Sequence, residues 1–391
     1  MTIQRTLSLR ALAIAVAIGL PLPVPATHAG HAVHEGHVEQ AATGGFSTAT
    51  GSGEPATTVT TLAQLRAAVA ASRHHIVVDG AIYGGPVPVT ILFGSTAWND
   101  TTIEGAPGGK AVLENIQLKF DGEQLPVGQA IDNIVVRNIT FHGRIADLQA
   151  LPPQVFGTPD NIGINYEGVS LRRTVNAWID HCTFYDTSDD LLSVTLGSDD
   201  VTLSYDHFYF TQAWLTMDPD PLWNWVGRYS DLANERLAMI VGANPSDSYS
   251  YGSHALHVTL HHDWFGPLVK GRPLLRGWIH AYDNYFDNAS PPSAGPAARA
   301  GAGQYTALQV GSGAVVYSEA NYFMGTHRSN EIGLDKPGDA HAFYERDNVY
   351  RTTTGQSAVG TPFLRPPVAY AYTLDPSSDV PDRVKASAGP H

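Results

Sequence analysis

A single cysteine, Cys182, stands in a chain of 391 residues. No intramolecular disulfide can form, so stability has to come from a packed core. Long apolar runs are equally scarce: after residue 29 no stretch approaches the roughly 20 unbroken apolar residues of a membrane helix, and no bilayer anchor is expected. Positive charge is short as well. Lys and Arg number 23 against 37 Asp and Glu, for a net charge of −14. That balance argues against general nucleic-acid binding. It would also repel an anionic polymer at long range unless cations or local basic residues line the polymer's path.

What is present begins with Arg5 and Arg10, an apolar run from Ala11 to Leu20 and small residues ending near Ala26 or Ala29. This reads as a secretory signal peptide over residues 1–29, so an exported, extracellular or periplasmic monomer is expected. Residues 30–55 are rich in Gly, Ala, Thr and His, and predict a flexible leader. His28, His31, His34 and His37 recur there every three residues; a solvated linker is favoured over a metal-binding tail. With 43% hydrophobic residues, residues 56–391 can bury a large core as one elongated domain.

Seven segments share a local pattern that ends on an aromatic residue: RNITF, DHCTF, SYDHF, HHDWF, YDNYF, EANYF and RDNVY. Their polar residues read as a column, Asn138, Cys182, Asp206, Asp263, Asn284, Asn321 and Asn348, suited to hydrogen bonding at a recurrent bend. The closing aromatics, Phe141 through Tyr350, recur at intervals of 43, 24, 57, 21, 37 and 27 residues. The short intervals fit single rungs of a coil and the long ones rungs with inserted loops. The fold class predicted is all-β: a right-handed, single-stranded parallel β-helix. Leu62, Leu65, Ala68 and Val69 at helical spacing, with Thr60 as N-cap, predict a short helix over Thr61–Ala71 that closes the N-terminal end. Inserted loops are expected at Arg144–Pro159, Thr211–Glu235 and Asn288–Gln304. The second holds Trp214, Trp223, Trp225 and Tyr229, rings that could stack on sugars or equally pack the loop onto the coil. The Pro-rich tail after Thr361 is expected to wrap or dangle.

The run from Asn176 to Tyr209, NAWIDHCTFYDTSDDLLSVTLGSDDVTLSYDHFY, resembles the central signature of the pectate lyase superfamily, polysaccharide lyase family 1. TTLAQLRAAV with IVVDGAI, AMIVGANPSD, VTLHHDWF with RPLLRGWIHAYDNYF, and GAVVYSEANYF extend the likeness over roughly residues 57 to 350. The resemblance implies Ca2+-assisted β-elimination of homogalacturonan, an acidic plant cell-wall polysaccharide. Removing the C5 proton of a galacturonate builds negative charge beside an existing carboxylate. A divalent ion on hard oxygen ligands, helped by a basic side chain, can absorb that charge. The net charge of −14 fits a protein that recruits Ca2+.

Carried over residue by residue, the family's first calcium ligand falls on Asp160 of DNIGIN, and Glu167 in the extra YEGVSLRR stretch could substitute or add a ligand. The D-G-x-x-D element becomes Asp189, Asp190 in place of glycine, and Ser193 in place of the third acid, a weaker ligand that Asp190 could make good. The family's base is the first arginine of R-x-P-x-x-R. Here Gly271 holds that place and Arg272 lies one residue late, so it serves only if a bend restores its aim. Lys270 is the runner-up base. Arg276 and Arg236, the latter one residue from the family's lysine position at Leu237, are expected to grip substrate carboxylates, with Trp223 and Trp225 stacking on sugar rings. Asp180, His181, His280, Asp206 and Asp263 lie in strongly patterned rungs and are expected to be structural.

The reading favoured is a secreted pectate lyase yielding 4,5-unsaturated oligogalacturonides. Two alternatives stand beside it: a metal-independent pectin lyase acting on methyl-esterified polymer, and a non-catalytic carbohydrate-binding coil.

Overall fold

The computed structural model describes residues 43–159, 161–224, 231–245, 247, 256–289, 305–332 and 340–391. The stretch read as a signal peptide and the histidine tract lie outside them. Among these residues the strands form three main sheets of eleven, nine and eight strands, and the strand pairs are parallel. Each turn of chain gives one strand to each sheet: Thr174–Asp180 to the first, Thr183–Tyr185 to the second and Leu192–Thr195 to the third, after which Asp199–Ser204 and His207–Tyr209 begin again. This is the parallel β-helix expected.

Side-chain alternation explains the coil, because every second residue of a strand points inward and stacks on its counterpart one rung away. Ile76, Ile103, Val136, Ile179, Leu203, Leu260 and Ala281 form one such in-register column, and all are fully buried. The closing aromatics make a second. From Phe141 through Phe184, Phe208, Phe265, Phe286 and Phe323 to Tyr350, successive rings lie 4.8 to 5.1 Å apart and tilt by no more than 8°. That separation is close to the strand spacing itself, so each ring meets its neighbour in contact.

The polar column is a hydrogen-bond ladder. The side-chain oxygens of Asp206, Asp263, Asn284, Asn321 and Asn348 each accept from the backbone N–H one rung earlier, at Cys182, Asp206, Asp263, Asn284 and Asn321, over 2.7 to 3.0 Å. The residue before each step, from His181 and Tyr205 to Asp347, has φ between +50° and +57°, which makes the bend. Asn138 falls outside the ladder. Pairing of Arg137 with Asp180 and Thr140 with Thr183 puts Ile139 in that register, so the column starts one rung later than the sequence reading had it.

Helix Leu62–Ala70 closes the N-terminal end and buries Leu65 and Ala68 in the core. Its N-cap is Thr61, whose hydroxyl accepts from Gln64 N, while Thr60 bonds the Gln64 side chain. The tail wraps. Its helix Val380–Ser387 buries Val380 and Val384 against Tyr285. The inserted loops carry short helices, Ile145–Ala150 and Gln212–Leu215.

One expectation needs correcting. The leader's last part is not flexible but laid across the eleven-stranded sheet, where Ser47 N, Thr48 N, Thr50 N and Ser52 N donate in turn to Thr202, Asn176, Asn133 and Thr102. Outward Thr and Asn side chains supply the acceptors, and small residues let the segment lie flat. A Cβ on Gly51, at φ +63°, would sit 2.1 Å from the Thr102 hydroxyl.

Candidate active site

Outward positions of the eight-stranded sheet form a cleft of about 750 Å3. Lys119, Ser170, Ser193 and Ile240 occupy one in-register row, and Asp121, Arg172 and Thr195 another. Alternation sets these rows, since the residues between them, such as Leu171 and Val194, point into the core.

Carboxylates gather at the bends that lead into this sheet. Continuing the pairing of Val169 with Leu192 puts Glu167 and Asp190 at matching places on successive rungs, with Asp189 beside them. Ser193 Oγ donates to Glu167 Oε2 at 2.6 Å and lies 2.9 Å from Ser170 Oγ. Asp190 N donates to Asp189 Oδ1 at 2.8 Å. Burial, then the Asp189 charge, pushes the Glu167 carboxyl up to about 7. Burial lifts Asp189 to about 6 against the pull of Arg272, and raises Asp190 well above the usual range despite the same arginine. Asp190 Oδ1 is buried with no hydrogen-bond partner.

Arg272 enters from the far side. Gly271 pairs with Leu237 and Thr306 in the sheet, and Arg272 then takes φ +78°. That left-handed residue supplies the bend a one-residue slip needs. The guanidinium reaches back across the rung at Leu237, and its NH1 donates to Asp190 Oδ2 at 2.9 Å. Arg272 thus lines the same cleft as Glu167, Asp189, Asp190 and Ser193.

Other expected residues fare differently. Asp160 and Trp225 lie outside the described residues, although Gly163 and Asn165 just after Asp160 line the cleft. Trp223 is fully buried, so it packs the loop onto the coil and offers no face to a sugar. Arg236 is also fully buried; its Nε and NH1 donate to Ala233 O and Leu268 O, and burial lowers it to about 10. It fastens backbone rather than substrate. Arg276 lies across Gly242 and donates to that carbonyl at 2.6 Å, only 7% exposed and outside the cleft lining. Lys270 is likewise outside the lining, with its amine lowered by burial and raised by Glu235. Ser193 is in the cleft, but it orients Glu167.

Three residues went unread in the sequence. Lys119 and Arg172 form a basic end of the cleft, tied to Asp121 at 3.2 and 3.1 Å. Burial works against the Arg172 charge, yet Glu123 and Asp121 hold its pKa above the usual value. Glu235, which closes the aromatic loop, adds negative charge toward Asp189 and Asp190. Strand alternation could have flagged Lys119 and Arg172; nothing local marks Glu235. Asp180, bonded to Ser204 and His181, and His280, paired with Glu319 at 2.8 Å, sit on the eleven-stranded sheet and are structural.

The donor set fits a hard divalent cation: three carboxylates in one pocket, all raised chiefly by burial, and one buried oxygen with no partner. The chain thus combines a parallel β-helix with a cleft of acidic and basic side chains along one sheet. The family profile "Pectate lyase" matches residues 226–390. A pectate lyase of Bacillus subtilis (strain 168) is 24% identical over 216 residues, covering 51% of this chain and 42% of that protein. A pectate trisaccharide-lyase of Thermotoga maritima is 25% identical over 333 residues, 82% of this chain and 77% of that protein. In fold, the crystal structure of a pectate lyase from Bacillus sp. N165 in complex with trigalacturonate superposes with a TM-score of 0.61 at 18% identity, covering 88% of this chain and 98% of that one. The chain is thus similar to pectate lyases in sequence, and it shares their fold.

Proposed function

We propose that this protein is an exported lyase that cleaves α-1,4-polygalacturonate by β-elimination, aided by Ca2+. One observation carries the reading: Arg272, displaced by one residue in sequence, shares a cleft with Glu167, Asp189 and Asp190. Glu167 stands in for the acid lost at Ser193, so these three would hold the ion, with Asp160 as the further ligand implied by the resemblance. Bound there, Ca2+ supplies a Lewis acid toward the uronate carboxylate.

The chain's own residues do the rest. Arg272, once deprotonated to the neutral guanidine, would accept the C5 proton at a side-chain nitrogen and become guanidinium, a role favoured at high pH because guanidinium is so weak an acid. Lys119 and Arg172 at the other end offer positive charge to carboxylates of an extended polymer, offsetting the repulsion of a protein of net charge −14. Among the described residues no helix is long and apolar enough to cross a membrane; export rests on the N-terminal signal read from sequence.

The test is the rise in ultraviolet absorbance of unsaturated uronate on polygalacturonate and on highly methylated pectin, each with Ca2+ or chelator. A calcium-dependent rise on polygalacturonate is expected. A rise only on methylated pectin, indifferent to chelator, would support the metal-independent alternative, which the Arg272–Asp190 pair favours by placing a resident cation on one carboxylate. No rise on either polymer would overturn both.

A further inference from the structure

Away from the cleft, the end of the chain meets the coil at a cluster the lyase chemistry does not use. His262 and Asp283 occupy matching left-handed bends on adjacent rungs, at φ +57° and +54°. Asp375 comes from the tail. His262 Nε2 is 3.4 Å from Asp375 Oδ2 and 3.8 Å from Asp283 Oδ2, and one ligand atom from each of the three lies within 4.8 Å of the others. The Asp283 side chain is fully buried: Oδ2 accepts from Asp375 N at 2.9 Å, and Oδ1 has no partner.

The protonation of His262 follows from its neighbours. The Thr43 carbonyl only accepts, so His261 Nε2, 2.7 Å away, carries a hydrogen. A neutral imidazole carries one hydrogen, so with His261 Nε2 as the donor the His261 Nδ1 is a lone pair. Its neighbour His262 Nδ1, at 3.0 Å, must then be the donor. That leaves a lone pair on His262 Nε2 facing two carboxylates, three acceptors turned on one another. Arg383 NH1 bonds the other oxygen of Asp375 at 2.7 Å, and Tyr205 stacks on the His262 ring at 4.7 Å.

We propose that His262, Asp283 and Asp375 bind a divalent transition-metal ion of the zinc class, which pins the C-terminal segment to the coil. One imidazole nitrogen and two carboxylate oxygens are zinc-type ligands, whereas a calcium site would use oxygen alone. Separations of 3.4 and 3.8 Å resemble the ~3.4 Å edge of a tetrahedron with bonds of about 2.1 Å. Arg383 holds Asp375 as an outer partner. The other close trio, Asp199, Asp200 and His257, lacks this frustration, because His257 N and Nδ1 already bond Asp199 Oδ1.

The full chain, stripped with chelator and titrated with Co2+ and then Zn2+, tests this. His262→Gln and Asp375→Asn should each bind one ion fewer than the parent, since the leader histidines contribute equally to all three. The parent should show the visible absorption band of four-coordinate Co2+, and the variants should lack it. Zn2+ at a hundredfold excess over its Kd should raise the parent melting temperature by roughly 4 °C and leave the variants unmoved. Asp375→Asn alters only the tail, so it decides the matter if His262→Gln fails to fold. Equal ion counts and equal melting shifts in parent and Asp375→Asn would overturn the proposal.

Discussion

Arg272 NH1 donates to Asp190 Oδ2 across 2.9 Å of space and 82 residues of sequence. Each partner conditions the other: the buried carboxylate fixes the guanidinium's aim, and the guanidinium is the one cation seen offsetting that carboxylate's burial. Arg272→Ala should therefore do two things. It should lower kcat on polygalacturonate by about 10²–10⁴-fold, as for loss of a positioned proton acceptor. It should also destabilise the calcium-free protein by stranding Asp190. Initial rates and thermal unfolding, measured with and without Ca2+, separate the two. Arg272→Lys keeps the charge but loses the planar fork, and should recover stability more than activity.

Acidity in the cleft links stability to pH. Glu167 at about 7 and Asp189 at about 6 lie above their unfolded values, so between the ordinary carboxylate range and pH 7 the folded state holds more protons than the unfolded one. Stability in chelator should then fall as pH rises from about 5 to about 8. Calcium, binding the ionised form, should flatten or reverse that slope, and its affinity should climb over the same window. Melting temperatures at the two ends, with and without the ion, would show it. A slope unaffected by Ca2+ would place the ion elsewhere.

Ser193 and Glu167 are 2.6 Å apart, which makes the lost acid restorable. Ser193→Asp should destabilise the protein in chelator, because two carboxylates then share one pocket, and should tighten calcium binding when the ion is supplied. Glu167→Gln should weaken calcium binding at least tenfold while removing much of the pH slope. Isothermal titration of the two variants against the parent checks both.

The ladder can be tested without reference to catalysis. Asn284 accepts from Asp263 N and donates to Leu260 O and Asn321 Oδ1, fully buried. Asn284→Ala removes all three bonds at once and should cost about 1–3 kcal/mol for each buried group left unmet. Phe208→Ala, in the middle of the ring stack, should cost about 3–5 kcal/mol. Denaturant unfolding would rank them, with lyase rates near the parent's in whatever fraction stays folded.

The coil was legible because its information is repeated: each rung restates the bend, the small polar residue and the closing aromatic, so seven weak signals reinforce one another. Where the register depended on one residue, the reading slipped, as at Asn138. The site was harder, because its residues arrive from separate rungs at bends where alternation lapses. Arg272 was legible as a conditional that hinged on a backbone reversal, and the reversal is there at φ +78°. Arg236 and Trp223 looked equally suited to substrate, yet both are fully buried; burial of a long polar or aromatic side chain in a loop depends on what covers it, which spacing does not record. The leader failed for the same reason. Its composition is that of a free linker, and the partners that order it, from Thr102 to Thr202, belong to other rungs.

The hydrogen-bond ladder also has a direction. At each step from Asp206 to Asn348 the Oδ1 oxygen accepts from the backbone of the rung before it, so each step is a plug on one side and a socket on the other. Excising the 21-residue repeat from Asp263 to Asp283 would bring an unchanged plug to an unchanged socket, and duplicating it would do the same. The coil is in this sense a ruler made of interchangeable segments, one whose length can be edited while the rules of its interior stay as they are.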